Sequence, residues 1–151
     1  MKHESITILR YISILQRNTN RYFDLTLEPD QIGSGQQFFL LRIAEHEGIT
    51  MYDLAKLGHF DKGTVTKAVQ KLSEQGYVYL EPDHHDRRVR HLYVTEQARP
   101  LIERVYRLRD HWTDSLTREL PPETQEQLLH TLQILAERSC QTLEEMQSSA
   151  P

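Results

Sequence analysis

The chain has 151 residues, 38% hydrophobic and 26% charged, with a mean hydropathy of -0.63. That is the length and composition of one globular domain, 1–151, and excludes a large multidomain enzyme and a fully disordered chain. No apolar run approaches the ~20 residues that cross a bilayer, the charge-interrupted start MKHESITILRYISILQR is unlike an export signal, and Cys140 is the only cysteine, so no membrane partner, no intramolecular disulfide and a reducing cytoplasmic location are expected.

Net charge is -4, which taken whole argues against a polyanionic partner. The distribution differs from the average. Between Asp61 and His91 six bases face five acids, so the rest of the chain holds 12 bases against 17 acids. His59, His84, His85 and His91 fall in or beside that window and would gain charge near a phosphate.

Ile8, Ile12, Leu15 and Tyr22, with Ile6, Tyr11 and Leu25 alongside, recur at helical spacing and predict a helix over 5–27. Pro29, Asp30, Gly33 and Gly35 form a turn, after which Phe39, Leu40, Ile43 and Ala44 predict a second helix over 36–47, closed by Gly48. Thr50 followed by Asp53 has the spacing of a capping box, opening a short helix that ends near Gly58. Asp61 opens the next. There Val65, Ala68, Val69 and Leu72 form one apolar stripe, Lys62, Thr64, Thr66, Lys67, Gln70 and Lys71 stay off it, and Gly76 stands where a helix end wants a left-handed residue.

Tyr77–Glu81 and Val89–Val94 then read as two short strands around the polar tip 82–87, a hairpin. Thr95 is placed to cap a long helix with Ala98, Leu101, Ile102, Val105, Leu108, Trp112 and Leu116 on one side, broken at Pro121-Pro122. A last helix, 122–146, carries Leu128, Leu129, Leu132, Leu135, Leu143 and Met146, and 147–151 reads as a frayed tail.

Two short helices followed by an arginine-bearing hairpin give a winged helix-turn-helix, mainly α with a small β-hairpin wing, complete between about residues 35 and 95. A B-DNA major groove about 12 Å wide admits one helix, which needs one apolar face toward the protein and one face of donors toward base edges. Residues 61–75 satisfy both demands, making Lys62, Thr64, Thr66, Lys67, Gln70 and Lys71 candidate DNA-contact residues. Arg87, Arg88 and Arg90 on the hairpin join them, because planar, weakly hydrated guanidinium groups suit a minor groove. Taken alone, the lysines fit a solvated helix face better than DNA contact; the arginine wing tips the balance toward DNA. No Gly-rich phosphate loop, nucleophile motif, His-Glu-x-x-His or paired cysteines occur, so no catalytic residues, cofactor or metal site are expected. His84-His85 on the tip reads as polar rather than metal-ligating, and Cys140 as a small core residue rather than a redox switch.

The run Asp61-Lys-Gly-Thr-Val-Thr-Lys-Ala-Val-Gln-Lys-Leu-Ser-Glu-Gln-Gly76, with Asp86-Arg-Arg88 and Val94-Thr95 behind it, resembles the MarR (multiple antibiotic resistance regulator) family of bacterial transcription factors. Element order agrees over nearly the whole chain and residues agree over about 50–98, with Ala98 standing where the family has glycine. The resemblance implies that Thr64, Thr66 and Lys67 approach bases and phosphates, that Arg88 enters the minor groove and that Asp86 braces the wing. It also implies a homodimer held by the helices in 5–27 and 96–146, on an inverted-repeat DNA operator. The family's ligand cleft would be lined here by Tyr11, Phe38, Phe39, Arg42, Tyr106, His111 and Trp112, a set suited to a small anionic aromatic effector that releases a repressor from DNA. A metal- or oxidant-sensing regulator of the same fold and a winged-helix protein-interaction module are the alternatives.

Overall fold

The computed structural model describes the backbone of residues 2–150 and the side chains from residue 7 to residue 150, leaving the predicted apolar contribution of Ile6 outside the described side chains. The elements are α1 (Lys2–Leu27), a 3-10 turn (Glu28–Asp30), α2 (Ser34–Glu45), β1 (Ile49–Thr50), α3 (Met51–Gly58), α4 (Lys62–Glu74), β2 (Val78–Pro82), β3 (Arg90–Val94), a second 3-10 turn (Glu96–Ala98), α5 (Arg99–Thr117) and α6 (Pro122–Ser148). They form two compact units, residues 1–112 and 113–151.

In the first unit a single apolar core joins Phe23 and Leu27 of α1 to Leu40, Leu41 and Ile43 of α2, Leu54 of α3, Val65, Ala68, Val69 and Leu72 of α4, Leu92 and Val94 of β3, and Leu101, Ile102 and Val105 of α5. The stripe expected on α4 is therefore the buried one, each member at most 3% exposed. Among the described side chains of α1 the buried ones, Phe23 and Leu27, lie at its end, while Ile8, Tyr11, Ile12, Leu15 and Leu25 are exposed. Polar ties fix α1 and its turn against α5 and the sheet. Tyr22 donates to the Leu108 carbonyl at 3.0 Å, Tyr77 donates to the Asp30 carbonyl at 2.9 Å, and Arg104 pairs with the Asp30 carboxylate.

The sheet is antiparallel with order β1-β3-β2. Tyr79 lies opposite Tyr93 and stacks on it with ring centroids 5.4 Å apart. β1 was not expected, because a two-residue strand has no period to read; it pairs Ile49 with Leu92 and Thr50 with His91. α2 ends at Glu45, and Gly48, at φ +92°, instead turns the chain into β1. Thr50 caps α3 as expected, accepting from the Asp53 N–H at 3.1 Å. Thr95 does not cap: its hydroxyl donates to the Gly76 carbonyl at 2.7 Å, which ties the end of β3 to the left-handed turn at Gly76 (φ +81°).

In the second unit, Gln125 donates to the carbonyls of Thr117 and Leu120, both at 2.9 Å, tying the start of α6 to the turn that follows α5. α6 begins with Pro122, whose missing N–H costs nothing at a first helical position; none of its described residues is buried, so Cys140, expected in the core, is only partly covered.

Leu72 is fully buried on the inner face of α4. Leu72→Ala is expected to destabilise the fold by about 2–5 kcal/mol in urea unfolding followed by circular dichroism; a loss below ~1 kcal/mol would contradict the packing described for α4.

Candidate nucleic-acid interface

α4 begins at Asp61, whose Oδ1 accepts from the Thr64 N–H at 2.9 Å, and this bond holds the carboxyl below its ordinary range. The cap fixes where the helix starts and hence which residues face outward. With Val65, Ala68, Val69 and Leu72 buried, Lys62, Thr64, Thr66, Lys67, Gln70 and Lys71 are all exposed. Thr66 spends its hydroxyl proton on the Lys62 carbonyl at 2.8 Å and Gln70 donates to Glu74 at 3.1 Å, so both keep acceptors free. Among the described residues no carboxylate stands within ion-pair distance of Lys62, Lys67, Lys71, Arg87 or Arg90.

Lys62 and Thr66 from the first half of α4 meet Arg88 and Arg90 from the wing across one groove of about 530 Å³, floored by Met51, Ala55, Val65 and Val89. Lys71, half a helix away, does not join them. It borders a separate polar groove with Asp24 and Glu28, acids that sequence reasoning did not place beside it.

The wing tip is built by carboxylates. Asp86 Oδ1 accepts from the Arg88 N–H and Nε at 3.1 Å each and Oδ2 from its Nη2 at 3.2 Å, which keeps the Asp86 carboxyl below its ordinary range while the Arg88 side chain stays 91% exposed. Asp83, missed in the sequence, does more. One oxygen accepts from the N–H groups of His85 and Asp86 at 3.0 and 3.1 Å, and the other meets His91 Nε2 at 2.8 Å. These bonds, His91 first, hold the Asp83 carboxyl at about 2. His91 Nδ1 meets the Gly48 carbonyl at 2.7 Å, and the two contacts raise the ring above its ordinary value. The only sequence signal was the placement of His91 in the strand next to the core residue Leu92.

The residues expected to line a ligand cleft separate. Phe39 is a core residue packed against Phe38 and Phe60. Trp112 stacks on Tyr22 at 4.6 Å and donates to Thr19 at 2.9 Å, Tyr11 is exposed on α1, and His111 is exposed on α5. Arg42 and Tyr106 do converge, both on the Glu45 carboxylate, with the Arg42 guanidinium 5.2 Å above the Phe38 ring centre. Burial raises the Tyr106 hydroxyl pKa. Arg109, not expected, stands close by, donates to Gln37 at 2.8 Å and is pushed down chiefly by burial and also by Arg42. Among the described residues no cluster of His, Cys, Asp and Glu is arranged to hold a metal, and no helix is long and apolar enough to cross a membrane.

Comparison with known proteins agrees with this geometry. The MarR family model matches residues 35–89, from the start of α2 to the wing tip. A MarR transcriptional regulator from Methanosarcina mazei Go1 shares 31% identity and superposes with a TM-score of 0.83, covering 90% of this chain and 98% of that one. The HTH-type transcriptional regulator YybA of Bacillus subtilis is 28% identical over 107 residues, 71% of each protein. The MepR–DNA complex of S. aureus has the same fold at 21% identity, with a TM-score of 0.79 over 85% of this chain and 95% of MepR. With a capped, cation-faced α4 behind an arginine-bearing wing, the chain is a DNA-binding winged-helix transcriptional regulator rather than an enzyme, and it belongs to the MarR family.

Proposed function

We propose that the protein is a cytoplasmic repressor that binds an inverted-repeat operator as a homodimer and is released by a small anionic aromatic compound. The observation that carries the DNA-reading part is the groove where Lys62 and Thr66 face Arg88 and Arg90. Two of its three cations have no carboxylate partner among the described residues and the third has only a local one. Unneutralised cations on a surface backed by a rigid core are what a phosphate backbone and a narrow minor groove attract.

In this reading residues 35–95 form the DNA-binding core, with Thr64, Thr66, Lys67 and Gln70 toward the major groove, Lys62 and Lys71 toward phosphates, and Arg87, Arg88 and Arg90 toward the minor groove. Asp86 orients Arg88. The helices in 5–27 and 96–146 belong to the dimer: α1 exposes Ile8, Ile12 and Leu15, and α6 exposes Leu129, Leu132, Ile134, Leu135 and Leu143, each at least 47% open to solvent. Apolar faces of that extent call for a covering partner, and a second copy is the economical one.

The ligand part is supported by Arg42. Its Nε is buried and finds no hydrogen-bond partner among the described residues, and it pairs with Glu45 while the neighbouring Arg109 donates to the uncharged Gln37. An incoming carboxylate or phenolate would relieve that imbalance, and Phe38 and Tyr106 offer ring contacts. Such a ligand releases DNA only by binding the DNA-incompetent form more tightly.

Arg88→Ala is expected to weaken specific DNA binding by about 1–3 kcal/mol in a mobility-shift assay while leaving the circular dichroism spectrum intact; unchanged affinity would remove Arg88 from the interface. Titrating salicylate against the protein–DNA complex is expected to lower affinity, with Arg42→Ala reducing that response at least ~threefold and leaving ligand-free DNA binding within about twofold. No response to any of a set of aromatic acids, or an undiminished response in Arg42→Ala, would overturn the ligand site.

A further inference from the structure

His91 is placed between two acceptors. Its Nε2 meets the Asp83 carboxylate at 2.8 Å and its Nδ1 meets the Gly48 backbone carbonyl at 2.7 Å. A neutral imidazole has one N–H and can satisfy only one of them; the imidazolium satisfies both. The carbonyl has no proton to give, and Asp83, held at about 2, is ionised at any working pH.

The two contacts span the base and the tip of the wing. Gly48 precedes β1, which pairs with β3, and Asp83 follows β2 at the start of the tip. Asp83's other oxygen fixes the N–H groups of His85 and Asp86, and the Asp86 carboxylate in turn holds the Arg88 guanidinium. A continuous path of hydrogen bonds therefore runs from Gly48 through His91, Asp83 and Asp86 to Arg88.

The charges around the ring favour the cation. Glu81, opposite His91 on β2, and Asp83 both draw a proton onto it. Thr50, opposite on β1, carries no charge. Glu47, beside Gly48 in sequence, is engaged by the Val94 N–H at 3.0 Å and by Arg99 at 3.7 Å.

We propose that His91 is a positioning residue for the DNA contact of the wing: its protonated ring clamps Gly48 to Asp83 and so presents Arg88, making DNA affinity fall as pH rises. This rests on the DNA-reading role of the wing. The sign follows from the direction of the shift: the His91 pKa is raised above 6.5, so the clamp is complete below that ordinary value and is lost as pH climbs through the raised one. His84 and His85, exposed on the same tip, would add attraction to phosphate with the same sign, and the test has to separate them.

Binding of the full chain to a labelled duplex that it selects from a random-sequence pool, read by fluorescence anisotropy at constant ionic strength, does so. Between about pH 6 and about pH 8.5 the affinity of the parent is expected to fall at least ~threefold, and the variant carrying both His84→Gln and His85→Gln keeps the larger part of that fall. His91→Gln, which retains His84 and His85, is expected to lose the larger part of that fall, and the variant lacking all three histidines to bind with the parent's high-pH affinity at every pH. A His91→Gln protein that keeps the parent's full pH dependence overturns the proposal. Ring 15N chemical shifts of the free protein give a reading independent of DNA: His91 should titrate above its ordinary value and Asp83→Asn should lower it. Titration of His91 at or below the ordinary value, with DNA still bound, overturns the clamp and leaves the regulator reading intact. High titration with no duplex bound at any pH overturns the DNA role of the wing and the positioning claim with it.

Discussion

Everything at the candidate interface depends on burying one stripe of α4. Val65, Ala68, Val69 and Leu72 enter the core, and at 3.6 residues per turn this decides where every other side chain of the helix points. Lys62, Thr64, Thr66, Lys67, Gln70 and Lys71 are outward because those four are inward. The Asp61 cap sets the helix start and the left-handed Gly76 its end, so the rotation and the length of the outward face are both defined. The buried stripe and the outward face are thus linked through a rigid helix rather than through any direct touch.

The wing solves a different problem. Six residues from Asp83 to Arg88 follow β2 with few apolar anchors, and a loop of that composition would ordinarily be mobile. Here the acids at 83 and 86 replace a core. Each accepts several hydrogen bonds from nearby N–H groups, and the stacked Tyr79 and Tyr93 stiffen the two strands below. Acids on a surface meant for DNA cost some attraction. They hold Arg88 in a defined direction, and a preorganised guanidinium loses less entropy on contact than a free one.

Much of this was legible in the chain because it is local. The caps at Thr50 and Asp61, the turn at Gly76 and the Asp86–Arg88 pair each need fewer than about five residues of context, and the apolar period of α4 and the hairpin each need one continuous stretch of fewer than about twenty. What escaped is what depends on distant pairing. β1 is a strand only because Leu92 and His91 lie across from it, and Thr95 gives its hydroxyl to Gly76 because the end of β3 returns there. Asp83, just past the end of β2, and His91 on β3, eight positions apart, meet only once register is set. The cleft residues suffered most for the same reason: Phe39 and Trp112 share the aromatic character of Tyr106, and nothing in spacing says that the first fills the core and the second stacks on Tyr22. Arg109 was overlooked because an arginine on an amphipathic helix looks solvated until α2 is laid against it.

On the proposed reading the outer face of α4 and the wing contact DNA together, from two copies of the chain. Hydroxyl-radical footprinting on a duplex selected by the protein reports minor-groove occupancy base by base. Two protected minor-groove windows are expected, symmetric about the centre of an inverted repeat and outside major-groove segments one helical turn, ~10 base pairs, apart. Protection of a single window, or uniform protection with no minor-groove pattern, would contradict it.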